Sequence, residues 1–103
     1  MITCTRSITR PSTDVKWHFE PGVIPDASFY RFYFIEHYKD TGKCLSDSTV
    51  ISEDGLTCDW SAFWISQEEY DICDADSVMN EFWTARNAYY AGVGVTQGPL
   101  VIT

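Results

Sequence analysis

This chain of 103 residues contains two histidines, and each is a candidate for a general base. His18 follows Trp17 in a short apolar stretch, and His37 lies in a run rich in aromatic residues. A general base needs a nucleophile or a substrate proton within hydrogen-bond reach. No G-x-S-x-G, H-E-x-x-H or phosphate-loop motif accompanies either histidine. We therefore expect structural or surface histidines, and we predict no catalytic residue.

Five closely spaced carboxylates could hold Ca²⁺ or Mg²⁺ through oxygen ligands: Glu68, Glu69, Asp71, Asp74 and Asp76. Their spacing lacks the central glycine and the terminal glutamate of the EF-hand loop. Glu69 and Asp76 also suit helix caps, and Glu68 suits the first turn of a helix. The sequence therefore predicts no metal site at these carboxylates, and none of its motifs indicates a cofactor.

Four cysteines lie at positions 4, 44, 58 and 73, without a C-x-x-C pair and without a nearby histidine. Zinc sites place their ligands in short-spaced pairs, so this spacing does not favour a metal. The first residues show no secretory pattern, and no apolar run is long enough to cross a bilayer. We therefore expect free, structural thiols in a soluble protein of a reducing cytoplasm.

One set of aromatic residues, with an arginine as polar anchor, could line a pocket for a flat apolar ligand. The set is Tyr33, Phe34, Trp60, Trp64, Trp83, Arg86 and Tyr90. The same side chains could instead fill the core and a contact between subunits, where aromatic residues dominate the energetics. Because no catalytic group accompanies them, packing is the favoured interpretation.

The elements that must position these residues are organised around a hairpin from Leu45 to Ile65. Its tight turn is predicted at Glu53-Asp54-Gly55, because hairpin turns need residues that tolerate positive φ. Side chains alternate between the two faces of a strand, so one apolar face of the second strand carries Leu56, Cys58, Trp60, Ala62 and Trp64.

A first strand is expected before the hairpin. The run Ile2–Thr9 is rich in threonine and isoleucine, and it places Ile2, Cys4 and Ile8 on one side. Residues 10–14 break the strand, since proline removes a ladder donor and serine, threonine and aspartate favour turns. The alternation of apolar and polar residues over 15–19 then predicts a short extension of the strand or a second piece of strand.

A first helix is expected from Pro25-Asp26 to about Thr41, with Asp26 as the N-cap and Gly42 just beyond the end. Its aromatic residues occupy most of the circumference rather than one stripe. A helix that is apolar nearly all round is buried on more than one side. In a chain this small, we expect the second covering to be another subunit.

Two further helices are predicted after the hairpin. Ser66 and Glu69 form a capping box that starts a short helix ending at Asp74. Asp76 suits a second N-cap, and it starts a longer helix that is expected to end at Gly92. The pattern therefore predicts one helical region interrupted near residues 74–76.

A final strand is expected at residues 93–96 or at residues 100–102, so that residues 94–103 form a loosely attached tail or an edge strand. The resulting β-α-β-β-α-β order predicts a ferredoxin-like α+β sandwich, with both helical regions on one face of an antiparallel sheet. We expect a single domain over residues 1–103. Because the other sheet face stays open, we also expect a homodimer, a dimeric α+β barrel.

Charge is distributed unevenly along the chain. Residues 1–43 hold six basic and five acidic residues, whereas residues 44–103 hold one basic and ten acidic residues. The net charge of −8 argues against nucleic acid as a partner, because such affinity comes largely from lysine and arginine. The asymmetry could serve a contact between subunits or with a protein partner, although a solvated acidic face is the simpler interpretation. We expect no membrane partner.

The element order, the strand that ends in Trp64 and the interrupted helical region resemble the dimeric α+β barrel families. These families include antibiotic-biosynthesis-type monooxygenases, so the resemblance implies a cofactor-independent enzyme or a binder of small apolar ligands near Trp64. Haem-degrading members pair a strand tryptophan with an asparagine on the first strand and a histidine on the second helix. This first strand has no asparagine, and His18 and His37 lie outside the second helical region, so the resemblance does not extend to haem.

Three short motifs are similar to short uncharacterised proteins encoded by large tailed phages of aquatic bacteria: Thr9-Arg10-Pro11, Ser52-Glu53-Asp54-Gly55-Leu56-Thr57 and Arg86-Asn87-Ala88-Tyr89. This resemblance implies no activity, and it places the protein in the host cytoplasm or the virion. With the aromatic helix and the missing catalytic motif, it favours a non-enzymatic, self-associating assembly or accessory protein. A monooxygenase-like enzyme or small-ligand binder is the alternative.

Overall fold

The structure, a computed structural model, describes residues Met1–Thr103. Five strands form one antiparallel sheet: β1 (Ile2–Thr9), β2 (Cys44–Ile51), β3 (Thr57–Trp64), β4 (Thr96–Gln97) and β5 (Val101–Ile102). The strand order is β2-β3-β1, and both β4 and β5 pair with the free edge of β1. The helices are α1 (Ala27–Phe34), α2 (Gln67–Asp74) and α3 (Ser77–Val93). This is the predicted ferredoxin-like α+β sandwich, with its second helical region interrupted as expected.

The hairpin of β2 and β3 turns where the sequence predicts it. Gly55 adopts φ +76°, and the Ser52 amide donates to the Thr57 carbonyl at 2.8 Å. Asp54 Oδ1 accepts from the Leu56 amide at 3.0 Å, and Arg10 Nε donates to the Gly55 carbonyl at 2.7 Å. These bonds satisfy the polar groups of the turn and attach it to the chain that follows β1.

Strand β1 has the predicted bounds and pairs with β3 over its whole length, from Ile2 opposite Trp64 to Thr9 opposite Thr57. Cys4 and Ile8 are buried on the side predicted to be apolar. The alternation of buried and exposed residues in both strands places the helices on one face of the sheet.

The segment after β1 is not the predicted strand extension, because its backbone turns instead of extending. Arg10 explains the difference: its Nη1 donates to the Val15 carbonyl at 2.7 Å, and its guanidinium lies 4.5 Å from the centre of the Trp17 ring. The Trp17 amide also donates to the Glu20 carboxylate at 2.6 Å. These contacts fold the segment over the sheet and bury Trp17.

Helix α1 begins at Ala27, and the predicted cap at Asp26 is wrong. Asp26 adopts a left-handed conformation with φ 59°, and its side chain makes no capping bond. A π-helical turn over Ile35–Lys39 extends the helix, with the Asp40 amide donating to the Ile35 carbonyl at 2.8 Å. No residue of α1 is buried within this chain, although its aromatic content predicts burial on several sides.

Both caps predicted for the second helical region are present. Ser66 Oγ accepts from the Glu69 amide at 3.2 Å, and Asp76 Oδ1 accepts from the amide of Val78 at 2.8 Å. The reciprocal bond of the capping box is absent, because the Glu69 carboxylate lies 3.5 Å from Lys43 Nζ instead. Helix α3 ends one residue later than expected, at Val93, and Gly94 follows it with φ +77°.

The C-terminal residues supply two short strands where one was predicted. The Gly98 amide donates to the Ser7 carbonyl at 2.8 Å, between β4 and β5. A Cβ at Gly98 would lie 3.1 Å from that carbonyl oxygen, so glycine permits the close approach. The Thr103 amide donates to the Thr3 carbonyl at 2.9 Å, which pairs the end of the chain with β1.

The core between helices and sheet is divided into two clusters. The larger cluster contains Cys4, Tyr38, Cys44, Ala62, Trp64, Cys73 and Met79. The smaller cluster contains Ile8, Trp17, Cys58, Tyr90 and Val95. All four cysteines are buried and free. None of the three helices has both the length and the apolar character needed to span a membrane.

Candidate functional site

Between the two core clusters lies a group of half-buried residues that we call the arginine layer: Arg6, Trp60, Trp83, Arg86 and Gln97. Arg6 is the inward-facing residue of β1 between Cys4 and Ile8, and it lies directly opposite Trp60 in the strand pairing. Directly opposed residues on one face of a sheet have adjacent side chains. The sheet therefore places one arginine and one tryptophan side by side in the interior.

Helix α3 supplies the other side of the arginine layer. Met79, Trp83, Arg86 and Tyr90 follow one another at steps of four, three and four residues, which places them on one helix face. Met79 and Tyr90 are both buried, each in a different core cluster. Trp83 and Arg86 therefore face the sheet between the two clusters.

Neither arginine of the layer has an anionic partner. The ion pairs of the protein join Arg31 and Lys39 to Asp47, and Lys43 to Glu69. The Nε atom of Arg6 is buried without a hydrogen-bond partner. Burial and the charge of Arg6 lower the pKa of Arg86 to about 10, which shows that its surroundings disfavour the positive charge.

Amide side chains connect Arg86 to the edge of the sheet. Asn87 Oδ1 accepts from Arg86 Nε at 3.2 Å and from Gln97 Nε2 at 3.0 Å. Gln97 pairs with Ile8, so it is a diagonal neighbour of Arg6 on the same sheet face. The Oε1 atom of Gln97 is buried without a partner. The layer therefore contains more polar atoms than the protein itself satisfies.

His18 lies beside the arginine layer and is hydrogen-bonded to Tyr90. Tyr90 is buried, with 1% of its surface exposed. The Tyr90 hydroxyl lies 2.6 Å from His18 Nδ1 and accepts from the His18 amide at 3.0 Å. The hydroxyl can donate to Nδ1 or accept from it, and the tautomer of the ring decides between the two. Burial, with a contribution from Arg86, lowers the pKa of His18 to about 4, so the ring is neutral at pH 7.

His37 lies away from the arginine layer. Its ring stacks on Tyr33 with ring centres 3.9 Å apart, and its Nδ1 lies 2.9 Å from the Tyr33 carbonyl. The structure therefore separates the two histidines, and only His18 is close to Arg86.

The predicted aromatic set is divided by the structure. Trp60, Trp83 and Arg86 belong to the arginine layer, and Tyr90 borders it from the smaller cluster. Trp64, Phe34 and Tyr33 belong to the larger cluster or pack against it. The Trp64 ring is enclosed by edge contacts with Phe34, Tyr38 and Tyr70, whose ring centres lie 5.7–6.1 Å away. Trp64 is thus a core residue rather than the wall of an open cavity.

The acidic cluster does not converge on one point, and no three potential metal ligands lie together. Asp76 uses its carboxylate within the protein: Oδ2 accepts from the hydroxyls of Tyr33 at 2.8 Å and Tyr38 at 2.5 Å. Burial disfavours the charge of Asp76, but bonds from these tyrosines and from two helix amides outweigh burial and lower its pKa. The carboxylate joins the end of α1 to the start of α3.

The open face of the sheet carries a shallow groove. Its lining residues are Thr5, Arg6, Ser7, Val50, Asp59, Trp60, Ser61, Gly98, Pro99 and Val101. Small hydroxyl side chains dominate this face, and Ser7 Oγ donates to Asp59 Oδ1 at 2.5 Å. Val50 is 65% exposed, and Phe63 and Val101 are also exposed. The single chain therefore leaves apolar surface uncovered on the sheet.

Sequence reasoning missed Arg6 and Gln97. The alternation in β1 already implied that residue 6 points inward with Ile2, Cys4 and Ile8, so the signal for Arg6 was an arginine on an apolar strand face. Gln97 gave no signal, because its place depends on how the C-terminal segment pairs with β1.

No protein-family model matches the chain, and a search of curated proteins gave no match. Among solved structures, the cofactor-independent oxygenase SnoaB from Streptomyces nogalater is similar over 99% of this chain and 89% of its own, with a TM-score of 0.68 and 12% identity. A proposed antibiotic biosynthesis monooxygenase from Deinococcus radiodurans is similar over 100% and 88%, with a TM-score of 0.56 and 13% identity. A further antibiotic biosynthesis monooxygenase covers 100% and 96%, with a TM-score of 0.56 and 15% identity. The chain thus has the α+β fold of the antibiotic-biosynthesis-monooxygenase-like proteins.

Proposed function

We propose that the chain is a small-ligand-binding protein that holds a flat aromatic molecule in the arginine layer. The observation that carries this proposal is that half-buried Trp60 and Trp83, which pack against the larger core cluster, share their strand and helix faces with half-buried Arg6 and Arg86. Protein interiors are close-packed with apolar side chains, and a layer built only for stability needs no arginine. Ligand sites combine aromatic walls with a few polar groups.

The layer offers such a ligand two kinds of contact. Trp60 on β3 and Trp83 on α3 present large apolar rings from the two sides of the fold, and Arg86 lies one helical turn beyond Trp83. Aromatic rings in contact contribute about 0.5–1.5 kcal/mol beyond the burial of their area. A ligand with a flat ring system and one polar end matches this arrangement.

Oxygenation of the bound molecule is a second candidate function. It is favoured by the likeness in fold to SnoaB, which is a cofactor-independent oxygenase. In such a reaction, the residues of this chain would bind, orient and desolvate the substrate. Oxygen uptake above the uncatalysed rate, with an electron-rich ligand such as 1,4-dihydroxynaphthalene, would support this activity, and uptake at the uncatalysed rate would count against it.

We further propose that the chain acts as a homodimer joined through the open face of the sheet. The proposal is supported by the exposed apolar side chains Val50, Phe63 and Val101 on that face. Light scattering coupled to gel filtration should give twice the chain mass of 11.8 kDa. Phe63→Glu should give a monomer, whereas Phe32→Glu on the outer side of α1 should leave the dimer intact. A wild-type protein of 11.8 kDa would refute the dimer.

A role as a phage assembly or accessory component is a further proposal, drawn from the sequence resemblance. The exposed aromatic residues of α1, with Phe29 at 56% and Phe32 at 71% exposure, are compatible with self-association beyond a dimer.

Isothermal titration calorimetry with 2-naphthamide and 2-naphthoate tests the proposed ligand site. We expect saturable, one-to-one binding of at least one probe. Trp83→Leu should weaken binding two- to tenfold, the range expected for one aromatic contact. Phe32→Leu is the matched control, because it removes an exposed ring outside the arginine layer, and it should bind like the wild type. The proposal fails if neither probe binds, or if Trp83→Leu binds as tightly as the wild type.

A further inference from the structure

We propose that the ligand of the arginine layer is an aromatic carboxylate, and that its charged group is bound between the guanidinium groups of Arg6 and Arg86. This inference rests on the proposed ligand-binding function and adds the chemical class of the ligand.

The first argument is the missing counter-charge. The chain contains 15 carboxylate residues, yet none forms an ion pair with Arg6 or Arg86. Charged side chains that leave the solvent are normally paired, because an unpaired charge in the interior is costly. Two half-buried arginines in an acidic protein therefore lack a partner that the chain could easily have supplied.

The second argument is the placement of the two arginines. Arg6 lies on the face of β1 that carries buried Cys4 and Ile8, and Arg86 lies on the face of α3 that carries buried Met79 and Tyr90, so both arginines lie on faces that border the core. The pKa of Arg86 is lowered by burial and then by Arg6, which indicates that the two charges are close enough to repel. An anion between them would remove this repulsion.

The third argument is the lack of an internal substitute for the anion. The cation–π contacts of the protein belong to Arg10 on Trp17 and Arg31 on Phe34, so neither arginine of the layer is stabilised in that way. Arg6 Nε keeps a buried, unused donor. The acceptor for Arg86 Nε, Asn87 Oδ1 at 3.2 Å, belongs to a neutral amide and supplies no negative charge.

The chemistry of the guanidinium group selects the class of ligand. Its planar donors match the two oxygens of a carboxylate, and such bonds are shorter and stronger than neutral ones. Trp60 and Trp83 beside the pair favour a carboxylate attached to a flat ring over a small inorganic anion.

The test compares 2-naphthoate with the neutral amide of the same shape, 2-naphthamide, by calorimetry at pH 7.5. We expect the wild type to bind naphthoate at least tenfold more tightly, which corresponds to about 1.4 kcal/mol. Arg6→Met and Arg86→Met should each lower the affinity for naphthoate more than the affinity for naphthamide, so that the preference for naphthoate falls below tenfold. Arg31→Met is the matched control, and it should keep the full preference.

The outcomes separate this inference from the proposed function. If the wild type binds both probes equally, the ligand site stands and the carboxylate inference fails. If neither probe binds, both fail. An Arg31→Met variant that loses the preference as Arg86→Met does would also overturn the inference, because the effect would then be one of overall charge. If an arginine variant does not fold, the comparison of the two probes on the wild type still tests the carboxylate inference.

Discussion

The carboxylate of Asp76 joins three elements, and Asp76→Ala should therefore be among the most destabilising single changes outside the hydrophobic core. It removes an acceptor for four hydrogen bonds at once: two from the amides of Val78 and Met79, and two from the hydroxyls of Tyr33 and Tyr38. Those hydroxyls come from the end of α1 and its π-helical extension. The substitution thus uncaps α3 and detaches it from α1.

The size of the effect follows from these bonds. Loss of an N-cap costs about 1 kcal/mol. Loss of the two hydroxyl bonds to a charged acceptor adds about 2 kcal/mol, a value kept low because Tyr33 is half-exposed. For a domain of this size, a total of about 3 kcal/mol lowers the melting temperature by about 12–24 °C.

Thermal and urea unfolding of Asp76→Ala and Ser66→Ala would measure this effect. Ser66→Ala is the matched control, since it removes a single capping bond, and it should cost about 1 kcal/mol. The wild type should also lose stability as the pH falls below about 4, because Asp76 has a lowered pKa and its contribution is present only while it is ionised. If Asp76→Ala and Ser66→Ala unfold at the same temperature, the tyrosine bonds contribute nothing and the reasoning is refuted.

Two further predictions concern glycine positions and the buried histidine. Gly94→Ala should destabilise the protein by about 1–2 kcal/mol, because Gly94 has φ +77°. Gly92→Ala, inside α3, should stabilise the protein by about 0.5–1 kcal/mol. If urea unfolding gives both changes the same sign, the assigned end of α3 is contradicted. The His18 ring should titrate near pH 4 by NMR, and because this pKa is lower than the value of 6.5 for an unfolded chain, stability should rise with pH between about 4 and 6.5. Tyr90→Phe should cost about 1–3 kcal/mol by leaving the amide and ring nitrogen of His18 without a partner, and a variant as stable as the wild type would contradict that bond.

Local signals account for the parts of the fold that the sequence predicts well. Strand β1 has the predicted bounds, because its alternation and its following proline are both local. The caps at Ser66 and Asp76 also depend only on residues within one turn. The hairpin turn at Gly55 follows from a single residue that tolerates positive φ.

Tertiary contacts explain the features that local patterns missed. Residues 15–19 alternate like a strand, but the guanidinium of Arg10 and the carboxylate of Glu20 draw them into turns. Aspartate is a favoured N-cap residue, yet the backbone of Asp26 is left-handed and its side chain makes no capping hydrogen bond. Such outcomes depend on partners that sequence spacing does not reveal.

The candidate site shows the same limit. Composition singled out Trp60, Trp83 and Arg86 together with Trp64, but packing against Phe34 and Tyr70 makes Trp64 part of the core. Conversely, the sequence shows an arginine, Arg6, on the apolar face of the first strand. Its inclusion in the candidate site depends on the pairing of β1 and on the face of α3, which bring it near Arg86.

A crystal structure of the protein with bound 2-naphthoate would test the central claim most directly. We predict that the naphthalene ring lies between Trp60 and Trp83, with its carboxylate within hydrogen-bond distance of Arg6 and Arg86. A naphthoate bound on the open face of the sheet, with the arginine layer closed by its own side chains, would contradict the account.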